Sequence, residues 1–185
     1  MATTRSGGTA TTSGRGTISI EVEPYELRNL ISLLNALPKD TQQTLRDKAQ
    51  PLSKRFAGQL LMFSHSSRTP QAKLVAESLS TPRDRLIRVD IGGAKKVGRP
   101  YGGEKRKNGK VVNRKRASAG ALLWGSEFGS HPGVDSMGRK YTGRFGAQYR
   151  KSGYWINPAV DYYTPIVAKE YIAMVKDLIK EAGLD

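Results

Sequence analysis

Few residues in this chain have the types and spacing to do chemistry together. The only histidines, His65 and His131, stand far apart, with no cysteine in the chain and no carboxylate pair at metal-ligand spacing, so each is expected to sit in a loop rather than to ligate or transfer protons. Gly93 to Gly98 has the outer glycine spacing of a phosphate-binding loop. Arg99-Pro100, however, stands where Lys and Ser or Thr would meet phosphate and magnesium, which rejects that reading. Gly125-Ser126-Glu127-Phe128-Gly129 misses the G-x-S-x-G elbow by one position, and Glu127 with Asp135 makes no acid and base pair. No catalytic, metal-binding or cofactor-binding residue is nominated, and the chain is expected not to be an enzyme.

What the chain offers is charge. Lys95, Lys96, Arg99, Lys105, Arg106, Lys107, Lys110, Arg114, Lys115 and Arg116 fall within residues 94–117, opposed there by Glu104 alone, so this segment carries +9 of the formal +15. Gly98, Pro100, Gly102 and Gly103 punctuate it, and Asn108-Gly109 before Val111-Val112 is a hairpin turn signal. A long solvated β-hairpin or loop projecting from the domain is expected. Its cations can meet phosphates, releasing counterions, or acidic patches on neighbouring subunits. No helix-turn-helix or aromatic RNA-binding signature accompanies them.

The elements that position these residues are legible from periodicity. Residues 1–16 are Ser, Thr, Gly and Ala with two Arg, a composition with nothing to bury, read as a disordered arm; residues 17–185 are read as one domain. Ile18, Ile20 and Val22 alternate with Ser19, Glu21 and Glu23, the pattern of a half-buried strand. From Pro24 the spacing of Leu27, Leu30, Ile31, Leu34 and Leu37 predicts a helix stopped by Pro38. Asp40 and Gln43 resemble a capping box, and Leu45, Ala49, Leu52, Phe56, Leu60 and Phe63 form a long apolar stripe in which Pro51 predicts a kink or break near Ala49. A short helix is expected over 70–79 and a strand where Ile87, Val89 and Ile91 alternate with Arg88 and Asp90. Val167, Tyr171, Met174, Val175, Leu178 and Ile179 mark an amphipathic helix over about 164–182. Aromatics cluster late; Trp124 and Trp155 are assigned to the core, and those between residues 141 and 149 to an interface.

With no cysteine, and no apolar run near the roughly 18 residues of a membrane span, the chain is expected to be soluble and made in the cytoplasm, without disulfides. The fold class expected is α+β: a small β-sheet packed by a long N-terminal helical region and a C-terminal amphipathic helix, with extended arms or loops.

The order of these pieces resembles the neck or tail-completion proteins of bacteriophages with long non-contractile tails. Carrying the resemblance are Ala36-Leu37-Pro38-Lys39 closing an early helix, a long helix after it, a Glu-aromatic-Gly phrase in Trp124, Glu127, Phe128 and Gly129, and Trp155-Ile156-Asn157-Pro158-Ala159 leading into the terminal helix. The charged insertion at 94–117 and the long stretch between Gly129 and Gly153 depart from the family pattern, and its Thr-Gly-x-Leu phrase is missing. The resemblance implies a virion protein of the head–tail junction, joined with its own copies in a ring, expected six-fold, that links connector to tail tube and has packaged DNA as a further contact. A tail terminator capping the tube is the alternative in the same class. A free basic nucleic-acid-binding protein is the alternative of a different class.

Overall fold

Alternating side chains build the first sheet. β1 (Thr3–Arg5), β2 (Thr17–Val22) and β3 (Ile87–Gly92) are antiparallel with β2 in the centre, and β2 and β3 run in register from Thr17 opposite Gly92 to Val22 opposite Ile87. The computed structural model describes residues 3–5, 16–22, 38–130, 133–134, 140–141, 145–147, 152–181 and 183. Ile18, Ile20, Ile87, Val89 and Ile91 are buried together, whereas Arg88 on the opposite side of β3 pairs with Asp84 and Asp90. β1 places Thr3–Arg5, within the segment expected as an arm, against the edge of β2. The open edge of β2 presents unpaired N–H and C=O groups, and Thr3 and Thr4, both β-branched, satisfy them as a strand. The helix expected from Pro24 lies outside the described residues.

The long apolar stripe becomes α1 (Lys39–Ser66), which continues through Pro51, so of the expected kink or break the break does not occur. Proline in a helix interior costs about 3 kcal/mol. Here the apolar stripe continues on both sides of it, with Leu45 and Ala49 before and Phe56 and Leu60 after all fully buried, so breaking the helix would sacrifice more packing than the lost hydrogen bond is worth. The expected capping box does not start the helix either: Pro38 is the N-cap, without a side-chain cap bond, and Asp40 lies within the first turn, where its charge opposes the positive end of the helix dipole.

α2 (Pro70–Ala76) is shorter than the expected 70–79. Ser78 ends it by donating its hydroxyl to the Val75 carbonyl at 2.6 Å and accepting from the Gly92 amide at 2.8 Å. Ser80 and Asp90 then exchange both backbone hydrogen bonds, which turns the chain onto the sheet. α3 (Ala119–Phe128) and α4 (Ile156–Glu181) complete the helices among the described residues, and α4 starts eight residues before the expected Thr164. No helix of the described residues is long and apolar enough to cross a membrane.

The core lies where α1 and α4 pack together over the buried face of the β2–β3 sheet. Phe56 stacks on Tyr163 with ring centroids 5.8 Å apart. Ser53, buried in α1, donates to the Ala49 carbonyl and accepts from the Arg88 amide, tying the helix to β3. Tyr171 in α4 is fully buried and donates its hydroxyl to the Arg85 carbonyl at 2.6 Å. Burial pushes its phenol well above the ordinary value, with Arg85 opposing and Asp84 reinforcing the shift. The result is a small α+β fold, as expected from the sequence.

The basic segment forms a two-tier hairpin. β4 (Lys96–Tyr101) pairs with β7 (Lys115–Ser118) at the base, and β5 (Glu104–Lys105) pairs with β6 (Val111–Val112) toward the tip. The turn closes through the Gly109 amide to the Arg106 carbonyl, with the Asn108 side chain accepting from the Lys110 amide. A further short pair, β8 (Gly133–Val134) with β9 (Lys140–Tyr141), follows α3.

Candidate functional site

Two places hold the residues singled out in the sequence, and they differ in kind. The first is a buried knot between α3 and α4. Ser118 opens α3 as its N-cap, its hydroxyl accepting from the Ala121 amide, and the helix turns Ser126 and Glu127 inward on the same side as Leu123. Glu127 is 1% exposed. One carboxylate oxygen, Oε2, accepts from the Trp155 and Ile156 amides at 3.1 and 2.7 Å, and the other, Oε1, accepts from the Asn157 amide at 2.8 Å. Its backbone carbonyl takes the Tyr154 amide at 2.7 Å.

These donors are the otherwise orphaned amides at the start of α4, so a residue 28 to 30 positions upstream in the chain serves as the cap of that helix. The cap fixes the start of α4 at Ile156, well before the expected Thr164; Ile156, Ala159, Val160 and Tyr163 already keep helical spacing on its buried side, and Pro165 lies inside the helix. Trp155 is fully buried beside the carboxylate, and its indole N–H donates to Ser126 Oγ at 3.4 Å. The Thr69 hydroxyl donates to the Ser126 carbonyl at 2.8 Å, which joins the start of α2 to the knot. Ile156 and Ala159 are buried, and Pro158 is half-buried.

Burial pushes the Glu127 carboxyl above its ordinary value, and the backbone donors from Tyr154 to Asn157 pull it back in part. With the folded-state value above the unfolded one, the linked stabilisation is present below the ordinary value of 4.5 and is lost as pH rises through the raised folded value. Denaturation of the wild type and of Glu127→Gln, compared across mildly acidic to neutral pH, is therefore expected to show the wild type losing stability relative to the variant as pH rises. A pH-independent difference would contradict it.

Two glycines let the knot close. Gly153 has φ +69°, and a Cβ there would lie 1.9 Å from Glu127 Oε1. Gly129, also at φ +69°, would place a Cβ 2.1 Å from the Ala147 carbonyl oxygen, so the Phe145–Ala147 strip lies directly against the end of α3. Phe145 rests on Gly125, and the Tyr154 hydroxyl donates to the Ala147 carbonyl at 2.6 Å.

Trp124 is not in the core as expected. It is 51% exposed and stacks on Phe128 at 5.9 Å. The buried side of α3 is set by Ala119, Gly120, Leu123, Ser126 and Glu127, and a position one residue after Leu123 is turned about 100° away from that side. His65, expected in a loop, lies in the last turn of α1 and is exposed; His131 lies outside the described residues.

No protein-family profile, no curated protein and no solved structure matches the chain.

The second place is the hairpin. All ten cations are exposed. Lys95 reaches the Glu77 carbonyl at the end of α2, while among the described residues the other nine cationic side chains make no ion pair. Val97 is buried, and Gly98 lies close against Leu74 of α2, so the base is fixed to the domain and the tip stands clear. No group of three or more His, Asp or Glu able to hold a metal occurs among the described residues.

Sequence reasoning named Glu127, Trp155 and Ile156, which the structure brings into contact, and placed Trp155 in the core, where it lies, but it did not see Glu127 as a cap. It gave no structural role to Ser126 or Gly153 and missed Ser118 and Thr69. Ser118 before an apolar run is a readable N-cap signal; Thr69 and Gly153 act across the fold and leave no local trace.

Proposed function

We propose that the chain is a structural virion subunit of a long-tailed bacteriophage, assembling with its own copies in a ring at the head–tail junction as a neck or tail-completion protein. The tail terminator is the neighbouring form of the same reading. The observation that carries it is the Glu127 knot: the two phrases of the family resemblance, Glu127-Phe128-Gly129 and Trp155 to Ala159, are joined by direct hydrogen bonds into one unit. With both carboxylate oxygens engaged by amides and the group closed to solvent, Glu127 holds the fold together. What remains to act outward is the surface, chiefly the hairpin and the exposed aromatic Trp124.

A ring of this kind is heterologous, each copy offering two different faces to its neighbours. A projecting hairpin with a free tip suits contact with acidic faces of adjacent subunits or rings, since DNA gripped by many cations would resist passage through a channel. Replacing Lys105, Arg106 and Lys107 by Gln together is expected to lower the yield of joined, tailed particles while the DNA content of filled heads stays unchanged. Normal joining combined with lost DNA would sink this assignment of the tip.

A further inference from the structure

The base of the hairpin carries a different arrangement from its tip. Lys96 on β4 and Arg114, Lys115 and Arg116 on the returning chain line an open cleft of about 670 Å³, walled by Tyr101 and by Ala121 of α3. All four cations are exposed and none has an acidic partner among the described residues. These like charges repel one another while the paired β4 and β7 and the buried Val97 hold their backbone in place; an anion in the cleft would relieve that repulsion. Tyr101 is 52% exposed at its edge, and Trp124, one turn along α3 from Ala121, is 51% exposed. Clustered cations beside the exposed Tyr101 ring suit a phosphate backbone whose bases or sugars stack, and an acidic peptide would leave that ring unused.

We infer that the hairpin-base cleft binds consecutive phosphates of a nucleic acid strand, separately from the tip. The inference does not rest on the ring reading, since a ring subunit and a free protein would both possess the cleft.

The test is fluorescence anisotropy of the full chain with labelled single-stranded and duplex DNA of about 20 nucleotides, a length exceeding one such site, over a series of salt concentrations. Two charge-matched variants are compared, Lys96→Gln/Arg114→Gln/Arg116→Gln at the base and Lys105→Gln/Arg106→Gln/Lys107→Gln at the tip, with circular dichroism confirming that both fold. The base variant is expected to bind about tenfold or more weakly with a salt slope lower by about 2 to 3, and the tip variant to change affinity by less than about threefold. Loss on Tyr101→Ala with single strands alone identifies unpaired bases as the stacking partner; no loss on either DNA would overturn the stacking on which the choice of a nucleic acid over an acidic peptide rests. Equal losses from base and tip variants, absence of salt-dependent binding, or equally tight binding of polyglutamate would overturn the inference.

Discussion

Glu127→Ala is expected to destabilise the protein by about 3 to 5 kcal/mol, the largest effect of any single polar substitution among the described residues, because it strands several buried donors at once. The Trp155, Ile156 and Asn157 amides all point at this carboxylate, and Trp155 is fully buried, which keeps water from replacing the lost acceptor at that amide. Glu127→Gln should fall between wild type and Ala. The amide keeps one acceptor oxygen but turns an NH2 group toward donors. Urea denaturation followed by far-UV circular dichroism measures the order. A Glu127→Ala protein within about 1 kcal/mol of wild type would mean that the α4 amides are satisfied otherwise, an ordinary surface-site outcome.

Gly153→Ala is expected to rank next, through two separable penalties. The first is conformational, about 1 to 2 kcal/mol for an L-residue held in the left-handed region, since Gly153 has φ +69°. The second is steric, because the new Cβ would meet Glu127 Oε1 at 1.9 Å, so the carboxylate must withdraw from the amides it caps. A double-mutant cycle separates them. In a Glu127→Ala background the collision disappears, so Gly153→Ala should there cost only its conformational part, giving a coupling energy of at least about 1 kcal/mol between the two sites. Additive effects would show that the glycine and the carboxylate do not constrain each other.

The strands and the apolar stripes could be read from the sequence because they are local. Ile87, Val89 and Ile91 alternate with polar residues and are buried as that alternation requires, and Val167, Tyr171, Val175 and Leu178 keep helical spacing and share the buried side of α4. The departures have mixed causes. Pro51 stays helical because of packing on both sides of it and Trp124 faces outward because its neighbours in α3 set the buried side, both within one helix, whereas the exact start of α4 at Ile156 is fixed by a distant carboxylate. The hairpin's outline followed from Asn108-Gly109 and the flanking glycines. The division into a cleft at its base and a free tip did not, since it depends on how Val97 and Gly98 seat against α2. Glu127 illustrates the same limit: the phrase containing it was recognisable, whereas its partners lie across a stretch of chain whose length says nothing of the contact.

High-resolution electron microscopy of purified particles, with this protein traced or labelled, tests the proposed role most directly. Density for a closed ring of this chain between head and tail, with α1 and α4 recognisable in each subunit, is the predicted result. Its absence from the particle, with the protein recovered only in the soluble fraction of infected cells, would contradict the virion assignment.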